Sequence, residues 1–111
     1  MGEIYIVPTP IGNLGDFTYR SEEVLNNVDK IYAEDTRNSK KLLLKYKIST
    51  PLVSYHQHNE HKITDYVINE ILEKKISITL ISDAGTPGIS DPGFLLLNKA
   101  KENNINVFCL P

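Results

Sequence analysis

An α/β fold, with a mainly parallel five-stranded sheet and helices on both faces, is predicted by three features of this 111-residue sequence. Five short apolar runs alternate with helical patterns along the chain. The runs are nearly continuous in apolar residues instead of alternating with polar ones, which is the pattern of strands covered by helices on both sides. Several runs also lead directly into segments rich in Gly, Pro, Asp and Asn. The carboxyl ends of parallel strands are where open α/β sheets form ligand crevices.

The first strand is expected at residues 4–7, the second at 30–33, the third at 51–55, the fourth at 76–81 and the fifth at 106–110. Between the first two, residues 18–28 place Val24, Leu25 and Val28 on one helical face, and Asp16 or Thr18 can supply the oxygen that caps it. A second helix, about 38–46, presents Leu42, Leu43 and Leu44. The clearest helix is 61–75, where Ile63, Val67 and Ile71 repeat every four residues and Ile68 and Leu72 widen the stripe. Its outer face is expected to carry Lys62, Asp65, Glu70 and Glu73. The last helix runs from about Gly93 to Glu102 and stops before Asn103-Asn104, a pair suited to a C-terminal turn.

The composition is that of a soluble single domain, with 41% hydrophobic and 23% charged residues. No apolar run approaches the roughly 20 residues that cross a bilayer. The N-terminus enters a strand pattern without a basic region and signal-peptide core, so a cytoplasmic location is expected. Cys109, the single cysteine, lies in an apolar run and reads as a small buried hydrophobe, not a nucleophile. A net charge of −2 argues against coating nucleic acid by bulk electrostatics. Lys40, Lys41, Lys45 and Lys47 nevertheless cluster, either as the wet face of a helix or as contacts to phosphate.

Four segments can carry chemistry. Residues 82–93, SDAGTPGISDPG, hold three glycines, two prolines and two aspartates, an ordered loop that another molecule can approach closely. In VPTPIGNLGD, residues 7–16, Pro8 and Pro10 stiffen the exit from the first strand while Gly12 and Gly15 permit close approach. It is not a GxGxxG phosphate fingerprint. After the second strand, Glu34 and Asp35 could accept ribose hydroxyls, orient a nucleophile or pair with Arg37. The plain alternative is a local acid–Arg37 pair with an Asx-type turn.

The fourth segment, HQHNEH at residues 56–61, contains all 3 histidines. Its spacing is metal-competent and is similar to the ligand motif of the metallo-β-lactamase hydrolases. Glu60 stands where that family usually has aspartate, no further histidine completes a second ligand set, and a parallel sheet does not suit that family's β-sandwich. A metal-dependent hydrolase using His56, His58 and His61 is therefore the least favoured alternative, and no metal site is assigned. Two other readings are a polar junction with Asn59 capping the next helix, and substrate contact by hydrogen bonding or base stacking.

Taken in order, IYIVPTPIGNLGD, AEDTR, HNE and SDAGTPGISDPG resemble the bacterial small-subunit ribosomal RNA ribose 2'-O-methyltransferases, a branch of the tetrapyrrole methylase superfamily, along essentially all 111 residues. The resemblance implies an S-adenosyl-L-methionine-dependent enzyme of rRNA processing. Its substrate would be the ribose 2'-oxygen of a cytidine in the decoding region of 16S rRNA, in the small ribosomal subunit. It further implies that residues 1–111 are the N-terminal α/β domain of a two-domain protein, typically a homodimer, with the cofactor held between domains. The chain stops where that family continues into a glycine- and proline-rich segment, so this part alone is expected to be inactive.

By carry-over from the family loops, Pro8, Ile11, Gly12, Asp83, Ala84, Gly85, Thr86, Asp91, Pro92 and Gly93 are the expected cofactor residues. Arg37, His56, Asn59 and Glu60 are candidates for substrate contact. Methyl transfer from a sulfonium depends on in-line positioning more than on covalent help. The 2'-hydroxyl is a poor nucleophile until its proton leaves, so Glu34, Asp35 and His58 are candidate general bases. The alternative is a methyltransferase of the same fold acting on a tetrapyrrole precursor or another small molecule.

Overall fold

The computed structural model describes residues 2–9, 17–56, 59–83 and 91–110. Strands β1 (Glu3–Thr9), β2 (Lys30–Ala33), β3 (Leu52–Ser54), β4 (Ile78–Asp83) and β5 (Asn106–Cys109) alternate with helices α1 (Tyr19–Asn27), α2 (Thr36–Lys45), α3 (Glu60–Lys74) and α4 (Asp91–Glu102). Every strand pair is parallel and the order is β3-β2-β4-β1-β5, the predicted class with the strand order now fixed.

That order decides where the helices go. The connections from β1 to β2 and from β2 to β3 move toward one edge, whereas those from β3 to β4 and from β4 to β5 move toward the other. Right-handed crossovers travelling in opposite directions lie on opposite faces of a sheet. The packing agrees. Val24, Leu25 and Leu43 of α1 and α2 cluster with Val7, Ile31, Ala33 and Ile81. Val67, Ile71, Leu96 and Ala100 of α3 and α4 cluster with Ile4, Ile6, Tyr32, Ile78 and Leu80. Alternate residues of each central strand thus feed opposite layers, as the pleat requires. Burial pushes the Tyr32 hydroxyl up to about 12, so this ring stays uncharged in the core.

Helix ends follow local chemistry. Thr18 caps α1 by accepting from Ser21 N at 3.1 Å; Asp16, the other expected cap, lies outside the described residues. α2 starts two residues before the position expected from its leucines, because Asp35 captures the backbone N–H groups of Arg37 and Asn38. Asn104, at φ 58°, makes the left-handed turn expected after α4.

Four expectations about burial are corrected. Cys109 is exposed, because β5 is an edge strand: Val107 packs into the α3/α4 cluster, but Cys109 extends past it. Glu70 is buried, not on the outer face. The inner stripe of α3 runs through Ile63, Val67, Glu70 and Ile71, which leaves Leu72 45% exposed. Glu70 meets Lys30 Nζ at 2.6 Å, and Lys30 also lies 4.9 Å from the centre of the Tyr66 ring. Leu44 is 75% exposed because Leu42 and Leu43 alone face the sheet.

Candidate functional site

The carboxyl ends of four strands form one continuous rim. Pro8 and Thr9 of β1 stand opposite Ser82 and Asp83 of β4, while Ala33 stands opposite both Ile81 of β4 and Ser54 of β3. Glu34 and Tyr55 therefore leave the sheet beside Ser82 of β4, and Tyr55 N donates to Ala33 O at 2.9 Å. At the β1/β4 pair the chain departs in opposite directions, β1 toward α1 on one face and β4 toward α4 on the other. This is the topological switch point at which open α/β sheets bind ligands. On the other side of β1, the β1/β5 ladder ends with Leu110 N donating to Ile6 O at 2.9 Å, and Pro8 has no N–H to continue it.

On β2, the two candidate acids differ sharply. Glu34 is exposed and has no hydrogen bond or ion pair among the described residues. Asp35 is engaged by Arg37 N at 3.1 Å, Asn38 N at 3.3 Å and Asn38 Nδ2 at 2.9 Å. The Asx-type turn is therefore formed, while the guanidinium of Arg37 is exposed and pairs with neither acid among the described residues.

Beyond β3, Asn59 occupies the cap position of α3 but makes no side-chain capping bond, a correction to its expected role. Its Oδ1 instead accepts from His56 N at 2.8 Å and its Nδ2 donates to Ser54 O at 3.2 Å. Asn59 thus fastens a tight turn onto the strand end and holds half-buried His56 at the rim. His61 is exposed in the first turn of α3. His58 and the Glu60 side chain lie outside the described residues, among which no group of three His, Cys, Asp or Glu side chains could hold a metal.

The sequence reading missed the support beneath this turn. Buried Tyr55 shares a hydrogen bond between its hydroxyl and Thr64 Oγ1, and its ring meets Tyr32 edge-on at 6.3 Å between centroids. The only available signal was a threonine, Thr64, beside the apolar stripe of α3.

Of the expected cofactor residues, Pro8 is half-buried at the end of β1, Asp83 ends β4, and Asp91, Pro92 and Gly93 form the first turn of α4, with Gly93 buried. Ile11, Gly12, Ala84, Gly85 and Thr86 lie outside the described residues. Below this rim, Val7 of β1 and Ile81 of β4 are buried side by side in the core beneath α1 and α2.

Residues 3–111 match the family described as Tetrapyrrole (Corrin/Porphyrin) Methylases. The chain belongs to this family. Among similar tetrapyrrole methylase sequences, the Ribosomal RNA small subunit methyltransferase I of Mycoplasmopsis pulmonis is 52% identical over 111 residues, which are 100% of this chain and 50% of that protein. The protein of the same name from Synechocystis is 52% identical over 100% of this chain and 39% of its own length, and that from Bacillus subtilis is 56% identical over 84% of this chain and 32% of its own. The chain therefore spans half or less of the length of these relatives.

Solved structures share the tetrapyrrole methylase architecture at much lower identity. Diphthine synthase superposes with a TM-score of 0.75 at 12% identity, over 98% of this chain and 43% of that one. A cobalt precorrin-4 methyltransferase gives 0.74 at 15% identity, over 98% and 45%. At this identity the likeness concerns the fold alone.

Proposed function

We propose that this chain is the N-terminal, cofactor-binding domain of an S-adenosylmethionine-dependent methyltransferase that modifies the ribose 2'-oxygen of a cytidine in small-subunit ribosomal RNA. The observation that carries the reading is the register of β1 and β4: two motif-bearing loops depart from the adjacent ends Thr9 and Asp83, at the switch point. Support for an RNA acceptor comes from relatives about half identical over the whole chain that carry a ribosomal RNA methyltransferase name.

In this reading Pro8, Ile11 and Gly12 wall one side of the cofactor cleft. Asp83 to Thr86 and Asp91 to Gly93 form the other, with the aspartates and loop peptide groups as the polar partners. The bound cofactor supplies an electrophilic methyl group on sulfur. Glu34 accepts the proton of the 2'-hydroxyl, since it is the rim carboxylate with no competing partner among the described residues. Arg37, His56, Asn59 and Glu60 line the approach of the nucleotide, with Asn59 acting through the turn that it fastens. A second domain closes the cleft, and the protein works in the cytoplasm as a homodimer.

Calorimetry with S-adenosylmethionine tests the cofactor assignment in a protein of the relatives' full length. Replacing both Asp83→Ala and Asp91→Ala should weaken binding at least about tenfold, as expected for the loss of two hydrogen bonds to a charged ligand. Unchanged affinity would remove the loop from the site. Transfer of tritiated methyl to isolated small ribosomal subunits tests the acceptor; labelling of a tetrapyrrole precursor in place of RNA would assign the domain to the small-molecule branch.

A further inference from the structure

Beyond Arg37, the outward face of α2 carries charge that the proposed chemistry does not use, and the geometry points to this face as a docking surface for the sugar-phosphate backbone of RNA. Arg37, Lys40, Lys41, Leu44 and Lys45 recur at i, i+3, i+4, i+7 and i+8, so they form one stripe along the helix, and each is exposed. Ser39, Leu42 and Leu43 are buried on the other side. Residues 36–47 contain five of the chain's 12 Lys and Arg and none of its 14 acids. A chain with a net charge of −2 thus concentrates positive charge on one short element.

Each of the other helices pairs at least one cation with an acid of its own. Arg20 of α1 pairs with Glu23 at 2.6 Å, Lys74 of α3 lies 3.7 Å from Glu70, and Lys99 of α4 lies 3.7 Å from Glu102. Among the described residues, no ion pair engages a cation of the α2 stripe. Like charges at i,i+4, as at Lys41 and Lys45, cost a helix a few tenths of a kcal/mol. A polyanion relieves that repulsion and gains from counterion release. Leu44, 75% exposed within the stripe, gives a ribose face an apolar contact. An anionic membrane fits less well, because a surface helix needs a broad apolar face and this stripe has one leucine.

Placement connects the stripe to the candidate site. α2 starts directly after Glu34 and its cap Asp35, on the carboxyl rim. Two strand spacings, about 10 Å, separate β2 from β1 on the far side of the switch point. An RNA strand that offers one nucleotide to the rim can therefore lay its neighbouring phosphates along α2. The inference rests on the proposed RNA acceptor and adds the surface that holds it.

The test is fluorescence anisotropy of this chain with a fluorescein-labelled 20-base-pair RNA duplex between 50 and 200 mM KCl. About three phosphate contacts should give a slope of log K against log salt of about −2 to −3. The Lys40→Glu/Lys41→Glu/Lys45→Glu variant should bind at least about tenfold more weakly, with the slope flattened by about 2. The corresponding Lys→Arg variant should retain binding, and Lys62→Glu/Lys101→Glu, on α3 and α4, should leave it unchanged. Circular dichroism melts establish that each variant is folded. Equal affinity and slope in the α2 charge reversal, no RNA binding by the unmodified chain, or capture of phosphatidylserine vesicles in place of RNA would each overturn the inference. Methyl transfer by a protein of the relatives' full length, with and without the charge reversal, separates it from the function on which it rests. If the charge reversal leaves KM for small subunits unchanged while they are still methylated, the surface fails and the acceptor stands. If RNA binding depends on the stripe but no RNA is methylated, the surface stands and the acceptor fails.

Discussion

At the amino ends of the strands, side chains and peptide groups close on one another; at the carboxyl ends, the described charged side chains Glu34 and Arg37 face outward. On the amino rim, Asp29 N donates to Ser77 O at 2.9 Å and Asp29 Oδ2 accepts from Ser77 N at 3.0 Å, so the starts of β2 and β4 are clasped from both sides. Ser77 Oγ also accepts from Glu3 N at 3.2 Å, which brings β1 into the clasp. Gly2 is so close to the Ile76 carbonyl that a Cβ would collide with it. Lys30 and Glu70 join β2 to α3 at 2.6 Å. On the carboxyl rim, by contrast, Glu34 and Arg37 are exposed, and the hydrogen bonds of Asp35 and Asn59 shape chain turns without filling the space between strands. Among the described residues, the amino rim ties strand to strand while the carboxyl rim carries exposed charges, a division familiar from other parallel α/β folds.

If this division is real, changes on the two rims should separate cleanly. The largest expected effect is on chemistry. Glu34→Gln, in a protein of the relatives' full length, should lower kcat for methyl transfer to small subunits by about 10²-fold or more, the usual contribution of a general base. Its unfolding free energy should change by no more than an exposed substitution does, about ±0.5 kcal/mol in chemical denaturation. A large loss of stability with intact kcat would reverse the roles given to this residue.

The opposite outcome is expected on the amino rim. Lys30→Met strands the buried Glu70 carboxylate with only Lys74, 3.7 Å away, and should cost about 2 kcal/mol in chemical denaturation while leaving cofactor affinity unchanged. The hydrogen bond to Glu70 holds the Lys30 ammonium above the usual lysine range. Its stabilisation is therefore fully present below the ordinary lysine pKa near 10.4 and is lost as pH rises through the higher folded value. Glu70→Gln should remove this alkaline component from the stability profile. Persistence of the same component in Glu70→Gln would show that it arises elsewhere.

How much of this was legible in the sequence differs between the rims in the same way. The central strands and the helices were readable because apolar periodicity is a local signal, and the loops of the carboxyl rim were readable because turn residues and motifs are contiguous. The amino-rim contacts join residues 29 with 77 and 30 with 70, separations at which no pattern in the chain records a pairing. Glu70 looked like solvent-facing charge because the periodicity of α3 alone cannot announce a lysine on another strand. Cys109 looked buried for a related reason: an apolar run does not reveal that its strand lies at the edge of the sheet. At the candidate site, composition suggested the acids at 34 and 35 but could not divide their roles, which depend on where α2 begins.

That division is the finest point at which the comparison can be broken, through Asp35. Replacing Asp35→Ala removes the acceptor of two backbone N–H groups at the start of α2 and should cost about 1 kcal/mol. Asp35→Asn keeps a side-chain oxygen of equal capping strength and should restore nearly all of that stability. Asparagine cannot act as a carboxylate base, however, so the two variants separate the structural role from the chemical one. With Asp35 spent on the helix, kcat in Asp35→Asn should stay within about threefold of the unmodified enzyme, far from the loss expected of a missing general base. A hundredfold fall in Asp35→Asn with α2 intact by circular dichroism would transfer proton acceptance from Glu34 to Asp35. The carboxylate best tied down by its own backbone would then be the reactive one, and freedom from local partners would no longer identify the working groups of this rim.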